Sequence, residues 1–351
     1  MKKYTLLLAL ALILQVSASS QSCLPDGIIF TTQMQIDSFQ INYPNCSMVE
    51  GDIEISGDDI TNLDSLVVLT VIDGDLFVGY TTMLASLSGL NNVTSIGQTI
   101  RIYMNSALTS LSGLDNIVTI GQNLRITNND VLANINALSS LTSVGENLRI
   151  YMNSELTSLS GLENLTTVGD NLRITNNSAI TSLSALFQLT SINGELVIEN
   201  NDALESLEGI DNIDSETITD VAIRNNLLLS TCEVQSVCNY LATPNGDISI
   251  HDNTIGCNSN EEVIEACVEG VEETTRPEIT IYPNPARDEL TITNEHDIIV
   301  NEIVIYNAMG QKVMSVRQAT NTIDVSILTK GMYVIEIVSN KFTVRKKLIL
   351  K

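Results

Sequence analysis

Four arginines recur at intervals of 24 residues in the middle of this chain, and their side chains have the right chemistry to bind anionic groups. They are Arg101, Arg125, Arg149 and Arg173. Tyr103 and Tyr151 stand two residues after the first and third of them, and threonines stand at the same distance after the other two. A guanidinium binds carboxylate or sulfate through paired hydrogen bonds, and an aromatic ring can pack against a sugar face or a cation. These six residues are therefore a candidate ligand-binding site.

The arginines lie in a repeated phrase, L-x-L-x-x-N, that is typical of a β-strand. In Leu124–Thr127, apolar and polar residues alternate, as in a strand with one buried face. We expect Leu124 and Ile126 to point inward and Arg125 and Thr127 to face solvent. Stacking equivalent strands in parallel places the arginines in one column at about 4.8 Å spacing. Arg224 is expected on the same face in the adjoining column.

The phrase returns so regularly that it predicts a solenoid. Its first apolar residues are Ile53, Leu76, Ile100, Leu124, Leu148, Leu172, Leu196, Val221 and Ile248. A 29-residue segment starting at Arg101 returns 48 positions later with 23 identical residues. Periods of this length indicate turns that bury their apolar residues only by stacking on each other. The sequence predicts a right-handed parallel β-solenoid with turns of about 24 residues and a main sheet of about nine strands.

Other repeated positions predict how each turn is closed. An Asn recurs after each strand and is expected to turn inward, bond the backbone and stack on its equivalents. The series is Asn105, Asn129, Asn153, Asn177, Asn201, Asn226 and Asn253. Leucines every third residue, such as Leu108, Leu111 and Leu114, line the bend. The glycines Gly97, Gly121, Gly145, Gly169 and Gly194 are expected to need φ > 0 at a tight corner. No segment between strands has the pattern of an amphipathic helix.

This pattern resembles two related families. The L-x-L-x-x-N phrase is similar to that of leucine-rich repeats, and the continuation in Leu132–Gly145 resembles the receptor L domain of growth-factor receptors. The resemblance covers about residues 21–267. It implies a binding scaffold, and it leaves the ligand open because members of both families bind different ligands.

The six cysteines lie only at the two ends of the repeats. They are Cys23, Cys46, Cys232, Cys238, Cys257 and Cys267. Solenoid ends need caps, and this distribution predicts cap disulfides in an oxidising compartment. Cys23–Cys46 follows if the two caps are separate. The other four cysteines allow three pairings, and the resemblance to cysteine-rich repeat caps favours Cys232–Cys257 with Cys238–Cys267. Zinc is the alternative, but no C-x-x-C pair is present.

The first 20 residues read as a secretory signal peptide. Two lysines precede the 11-residue apolar run Leu6–Val16 and a series of small residues. The run is too short to span a bilayer. A lipoprotein anchor at Cys23 is the alternative, but the preceding residues lack the aliphatic residue that lipid attachment requires. We predict no transmembrane segment.

After an acidic linker, residues 268–278, the chain changes character. Alternating runs within residues 279–351 predict a small antiparallel Ig-like β-sandwich. Several motifs in this tail are similar, in order, to those of the C-terminal sorting domain of the type IX secretion system of Bacteroidetes. Their characteristic residues are Tyr282, Pro283, Asn284, Pro285, Gly310, Gly331, Tyr333, Lys346 and Lys347. The resemblance implies that the type IX machinery is a partner and that the protein is secreted across the outer membrane, to the cell surface or the medium.

Charge divides at the same point. Residues 19–278 carry six Arg and no Lys against 35 Asp and Glu, a net charge of −29. The tail carries nine Lys and Arg against seven Asp and Glu, a net charge of +2. The acidic repeat region argues against nucleic acid as a partner. No D-x-D-x-D-G calcium loop is present, and we predict no metal and no cofactor.

Catalysis finds little support in the sequence. The two histidines, His251 and His296, do not lie beside a nucleophile, and no G-x-S-x-G, H-E-x-x-H or P-loop motif occurs. We expect a non-catalytic binding or adhesion module that presents a sheet face to an extracellular glycan or protein. A passive surface spacer is the second hypothesis, and a solenoid enzyme acting on polysaccharide is a distant third. The spacer hypothesis has its own account of the arginines: duplication copied them, and Glu146 and Asp170 neutralise them.

Overall fold

The computed structural model describes residues 21–270, 280–293, 300–307, 311–317, 322–339 and 343–351. The chain divides into two compact units, with the boundary between Glu269 and Gly270. The first unit is built on parallel strands and the second on antiparallel strands. The predicted signal peptide, most of the predicted linker, His296 and Gly310 lie outside the described residues.

The first unit contains 18 short strands within the described residues. They are β1 (Gln21–Cys23), β2 (Ile28–Phe30), β3 (Cys46–Val49), β4 (Ile53–Ile55), β5 (Val71–Ile72), β6 (Leu76–Gly79), β7 (Ser95–Ile96), β8 (Ile100–Tyr103), β9 (Thr119–Ile120), β10 (Leu124–Thr127), β11 (Ser143–Val144), β12 (Leu148–Tyr151), β13 (Thr167–Val168), β14 (Leu172–Thr175), β15 (Ser191–Ile192), β16 (Leu196–Glu199), β17 (Val221–Arg224) and β18 (Ile248–His251). Every pairing among them is parallel, because each strand pairs with its equivalent in the next turn.

The main sheet confirms the predicted repeat and extends it by one strand. Ten strands pair in the order β2-β4-β6-β8-β10-β12-β14-β16-β17-β18. Nine of them are the predicted strands, and the tenth is β2 in the N-terminal cap. β2 was missed because the phrase that follows it, Thr31-Thr32-Gln33, lacks the repeat Asn. The predicted core residues Leu124, Ile126 and their equivalents on neighbouring strands are fully buried.

A second parallel sheet forms another wall of the coil. Its eight strands follow the order β1-β3-β5-β7-β9-β11-β13-β15. Six of these strands have only two residues, as in Ser143–Val144, with one side chain buried and the other partly exposed. Two residues show no alternation, so the sequence pattern alone did not reveal this sheet. Between the walls, short 3-10 turns occur at Asp64–Leu66, Asn136–Leu138, Ser184–Leu186 and Ser215–Thr217.

The expectation of an all-β chain is wrong at the two ends of the coil. The N-terminal cap contains α1 (Gln33–Asp37) and α2 (Phe39–Asn42), and the C-terminal cap contains α3 (Gln235–Ala242) and α4 (Asn260–Gly270). An end turn has no neighbour to stack on, and these helices supply the missing cover. Ile36, Phe39 and Val237 from the helices are fully buried in the same continuous core as the repeats. α4 extends to Gly270, into the predicted linker.

The corner glycines are needed for a different reason from the one expected. None of Gly97, Gly121 and Gly145 has positive φ. A Cβ at Gly121 or Gly145 would instead clash with the backbone carbonyl of the equivalent glycine one turn earlier. Positive φ occurs at a second set of glycines, in the bend: Gly89, Gly113, Gly161 and Gly209, with φ between 111° and 117°. The corner glycines therefore permit close stacking of turns, and the bend glycines permit the left-handed backbone.

All three predicted disulfides are present. Cys23 pairs with Cys46 in the N-terminal cap, and Cys232–Cys257 and Cys238–Cys267 close the C-terminal cap. The favoured pairing of the last four cysteines is thus confirmed. Each bond covalently joins chain segments that are 23 to 29 residues apart, which is about one turn of the coil.

The second unit forms two antiparallel sheets. Its strands are β19 (Thr280–Tyr282), β20 (Glu289–Thr293), β21 (Val300–Asn307), β22 (Lys312–Arg317), β23 (Thr322–Asp324), β24 (Gly331–Ser339) and β25 (Thr343–Leu350). One sheet has the order β19-β20-β23 and the other β22-β21-β24-β25. Side chains from both sheets, including Leu290 and Ile335, share one core that is separate from that of the repeats.

Candidate ligand-binding face

Strand register places the four arginines in one column on the outer face of the main sheet. Arg101 pairs with Arg125, Arg125 with Arg149, and Arg149 with Arg173. The residues on either side of each arginine in its strand are buried, so the guanidinium lies on the outer face of the coil. The predicted column is therefore present. Its position in the other strands is occupied by Phe77 before it and by Val197 after it.

The adjoining column contains the predicted tyrosines. Tyr103 pairs with Thr127, Thr127 with Tyr151, and Tyr151 with Thr175. The prediction that Thr127 is exposed to solvent is wrong: Thr127 is buried, and it lies between the strands that carry Tyr103 and Tyr151. Arg224 lies in this second column, beside Glu199, as expected from its position in the phrase. The structure thus brings all six candidate residues onto one face over four strands.

The arginines differ in their charged partners. Arg173 forms an ion pair with Glu195, and Arg224 forms one with Glu199. Among the described residues, Arg101, Arg125 and Arg149 form no ion pair. Partial burial, and then the charges of Arg173 and Arg125, lower the pKa of the Arg149 guanidinium. Among the described residues, three cations in a row thus lack a carboxylate partner, and like charges at neighbouring positions of a sheet repel each other.

The carboxylate that neutralises the end of the column is not one of the two expected. Glu146 accepts a hydrogen bond from the Asn123 side chain, and neither Glu146 nor Asp170 forms an ion pair in the described part of the chain. Glu195 takes that role, because it directly precedes the strand next to Arg173. Internal neutralisation therefore reaches only the last arginine of the four.

A second polar ladder, missed in the sequence, runs along the other side of the arginine column. It consists of the residues that directly precede β4 and the later strands of the main sheet: Asp52, Asp75, Thr99, Asn123, Asn147, Asn171, Glu195, Asp220 and Asp247. Side-chain oxygens of Asp75, Asn123 and Asn171 accept hydrogen bonds from the backbone N–H one turn later. The ladder residue is Thr or Asn in the four turns that carry the arginines, and it is Asp or Glu in the other five turns of the ladder. Arg101, Arg125 and Arg149 form a cationic patch. On one side it is bordered by the Thr and Asn residues of this ladder, and on the other by the column of tyrosines and threonines.

The Asn ladder holds the corner that follows these strands. Each Asn from Asn105 to Asn226 is fully buried. Asn153 donates to the carbonyls of Ile126 and Tyr151, at 2.9 and 3.2 Å, and its Oδ1 accepts from the N–H and side chain of Asn129. The predicted inward turn and stacking are thus confirmed. The ladder fixes the ends of the strands on which the arginines and tyrosines lie.

The residue before each ladder Asn has left-handed backbone, which the sequence analysis did not anticipate. In most turns this residue is Asn or Asp, as at Asn128 and Asn176, where φ is 56° and 58°. These residue types tolerate left-handed backbone best after glycine. Tyr80, Met104 and Met152 occupy the same position with φ of 57°, 55° and 54°, and their side chains are exposed. The sequence did contain a signal for the left-handed backbone, because four turns have an Asn-Asn dipeptide at this point.

An aromatic cluster lies at the N-terminal end of the arginine column. The ring centroids of Tyr80 and Tyr103 are 5.3 Å apart with an angle of 88° between the planes, and Phe77 lies 6.1 Å from Tyr80. The guanidinium carbon of Arg101 is 5.5 Å from the Phe77 ring centroid and 5.0 Å from that of Tyr103. Gly79 makes room for this packing, since a Cβ there would clash with the Phe77 ring and with the carbonyl of Tyr103.

Beyond the C-terminal end of the column, the same face becomes a shallow groove of about 510 Å³. Val197, Ala222 and Ser249 occupy the arginine position in these strands, and their small side chains leave the space. Both cations in its wall, Arg173 and Arg224, are paired with glutamates. The groove thus differs in chemistry from the cationic patch.

The remaining candidates for chemistry that the sequence raised are a histidine, metal ligands and a membrane-spanning segment. The exposed ring of His251 contacts the neighbouring carboxylate of Asp252 at 2.7 Å. Among the described residues no group of three or more His, Cys, Asp or Glu side chains is placed to hold a metal ion. Within the same residues no helix is long and apolar enough to cross a membrane.

The tail motifs meet at the final strand. The Asn284 side chain donates to the carbonyl of Lys347 at 2.7 Å and accepts from the N–H of Ile349 at 2.9 Å. Ala286 is also bonded to this strand, through Ile349 and Lys351. Two motifs more than 60 residues apart in sequence therefore form one structural element.

Comparison with known proteins assigns this unit. The model of the secretion system C-terminal sorting domain family matches residues 280–351. This segment is a type IX secretion sorting domain. Tyr282, Asn284, Gly331 and Lys347 belong to the described part of the sorting domain. The sorting domain directs the protein across the outer membrane, to the cell surface or the extracellular space. No curated protein matches the chain.

Proposed function

We propose that this secreted protein is a non-catalytic binding module whose main-sheet face binds a polymer with carboxylate or sulfate groups. The parallel turns support a right-handed coil like that of the receptor L domain or leucine-rich repeats, because parallel crossovers are almost always right-handed. The two-sheet tail is compatible with an Ig-like sandwich. In this proposal the solenoid is the binding part and the sorting domain is the export signal.

One observation carries the proposal: Arg101, Arg125 and Arg149 stand in register without carboxylate partners, in a region with a net charge of −29. Stacked like charges destabilise a sheet, so folding alone does not favour them. The bordering ladder is also uncharged only beside the arginines. A polymer with repeated anionic groups would relieve the repulsion and form paired hydrogen bonds with successive guanidiniums.

A passive spacer makes the opposite prediction about this surface. A spacer needs only a soluble coat, so no face should differ from the others in charge or composition. Here the outer face of the main sheet changes along its length from aromatic to cationic to mixed charge. This gradient favours a binding module over a spacer, and over a duplicated but unused column.

The test compares two double variants of the full-length chain. Arg125→Gln with Arg149→Gln removes two charges from the column, and Arg287→Gln with Lys330→Gln removes two exposed charges from the sorting domain. Binding to anionic polysaccharides and to poly-L-glutamate is measured by calorimetry at low and high salt. We expect the first variant to lose affinity roughly a hundredfold at low salt, since charge-assisted hydrogen bonds contribute about 1.5–3 kcal/mol each. The control should bind like the parent. Equal binding by the two variants would contradict the proposal.

A further inference from the structure

We infer that the polymer is an anionic glycan, and that Phe77, Tyr80 and Tyr103 form a subsite on which one of its sugar rings stacks at the N-terminal end of the arginine column. This inference rests on the proposed function and narrows its ligand class. It places the sugar chain across the strands, along the column from Arg101 toward Arg149.

The cluster has the shape of a corner. The Tyr80 and Tyr103 rings are perpendicular, so one ring can form a floor and the other a wall. Tyr80 is 54% exposed, and Phe77 and Tyr103 are partly exposed. The C–H groups on one face of a pyranose ring are apolar and match such a floor, while its hydroxyls remain available to water and neighbouring polar groups. Rigid rings lose little conformational entropy when they bind.

Backbone preference does not account for Tyr80, as it does not account for Met104 and Met152 at the same position. Its backbone has φ of 57°, a conformation that costs a non-glycine residue roughly 1–2 kcal/mol. Four other turns reduce this cost by placing Asn at the equivalent position, at Asn128, Asn176, Asn200 and Asn225. The exposed ring of Tyr80 recovers little of the cost by burial. Its contacts with the Tyr103 and Phe77 rings are what distinguish it from those asparagines.

Arg101 supplies the anion-binding group of the same subsite. Its guanidinium lies over both the Phe77 and Tyr103 rings, which restrict its position without neutralising its charge. No carboxylate among the described residues pairs with it. A sugar ring stacked in the corner therefore has a cation within reach of a carboxylate or sulfate that the ring carries.

The spacing of the tyrosines matches a glycan better than an acidic polypeptide. Tyr151 lies two strands beyond Tyr103 in the same column, at roughly twice the ~4.8 Å strand spacing. That distance is comparable to one disaccharide, so every second sugar would meet an aromatic ring while the arginines contact the groups between. A peptide usually adds to the free edge of a sheet, and these strands are hydrogen-bonded on both sides.

The experiment uses substitutions that the repeat itself already contains. Tyr80→Asn and Tyr103→Thr insert residues found at the same positions in other turns, at Asn128 and Thr127. Met152→Asn is the matched control, because it makes the same change of backbone preference outside the aromatic cluster. The exported chain and its variants are titrated with polygalacturonate, alginate, hyaluronan and chondroitin sulfate, and with poly-L-glutamate as the polypeptide. Thermal unfolding is recorded for each variant.

We expect at least one of the four glycans to bind more tightly than poly-L-glutamate. Tyr80→Asn and Tyr103→Thr should each weaken that binding about tenfold, the factor that corresponds to 1.4 kcal/mol. Tyr80→Asn should unfold at the parent's temperature or above it, as should Met152→Asn, which should also bind like the parent. These stability readings separate a lost contact from a damaged fold.

Two results would overturn the inference. One is that none of the four glycans binds, or that poly-L-glutamate binds equally well. The other is that both aromatic variants retain full affinity for the glycan. If Arg125→Gln with Arg149→Gln abolishes binding while the aromatic variants do not, the proposed sugar subsite is wrong. The proposal that the arginine column binds an anionic polymer is then retained. If the arginine variant itself binds normally, the proposed function fails as well.

Discussion

At the scale of single residues, the sequence allowed prediction of side chains that repeat with one identity. Asn153 and its equivalents could be placed inward because an amide side chain has both donors and an acceptor for the unpaired backbone groups of a corner. The left-handed residue before each Asn could not be predicted, because Tyr80, Met104 and Met152 do not carry the Asn signal there. Ion pairing was likewise missed, since Glu195 reaches Arg173 only through the stacking of two turns.

The Asn ladder predicts a large effect of a small truncation. Asn153→Ala would leave the N–H of Asn129 and the carbonyl of Ile126 buried without these partners. We expect the free energy of unfolding to fall by roughly 3 kcal/mol, since each orphaned buried group costs about 1–3 kcal/mol. Asn116→Ala is the control, because exposed Asn116 makes one hydrogen bond, to the carbonyl of Asn91. Urea denaturation followed by circular dichroism compares them, and similar losses would refute the ladder's role.

At the scale of elements, prediction succeeded where a strand was long enough to show its alternation. In the four-residue strands, such as Leu148–Tyr151, the alternation of apolar and polar residues in the sequence indicates which side chains are buried. The second sheet, built mostly from pairs such as Thr167–Val168, offers no such pattern and is recognised only in three dimensions. The helices of the N-terminal cap were missed for the same reason, because α1 and α2 have five and four residues and show little more than one turn of periodicity.

Close stacking of turns predicts that the corner glycines resist substitution even though their φ is ordinary. Gly145→Ala would drive a Cβ into the backbone carbonyl of Gly121, and the two glycines directly follow strands β11 and β9 of the second sheet. We expect destabilisation by about 2 kcal/mol or more, from strain rather than from lost contacts. Gly331→Ala is the comparison, because a Cβ there would meet only the Tyr333 ring, at 3.8 Å. Calorimetry of the intact chain would contradict this if Gly145→Ala unfolded like the parent.

At the scale of the whole molecule, the chain consists of two units with separate hydrophobic cores. The sorting motifs were recognisable in sequence because they occur in order over one domain. Their meeting at β25 was not evident, since Asn284 and Ile349 are 65 residues apart. The function of the solenoid could not be predicted to the same degree, because a repeat scaffold specifies a surface and does not specify what binds to it.

Export should depend on the last strand through the fold that it completes, and its dependence on the lysine charges of that strand can be tested separately. Deleting residues 346–351 removes buried Leu348 and Leu350 and the partners of Asn284, so the sorting domain should lose its fold. We expect the truncated protein to stay in the periplasm of a host with the secretion system, as judged by fractionation and immunoblotting. Lys346→Gln with Lys347→Gln keeps the fold and tests whether the machinery reads the charges. Normal surface delivery of the truncated form would show that this strand is dispensable for sorting.

The central claim is that an anionic ligand occupies the arginine column, and chemical footprinting tests it most directly. The exported chain is treated with an arginine-specific dicarbonyl reagent, with and without saturating anionic glycan, and modification at each arginine is read by peptide mass spectrometry. The account predicts that the glycan protects Arg101, Arg125 and Arg149 strongly and leaves Arg287, Arg317 and Arg345 of the sorting domain unchanged. Protection confined to the sorting domain, or equal at every arginine, would contradict it.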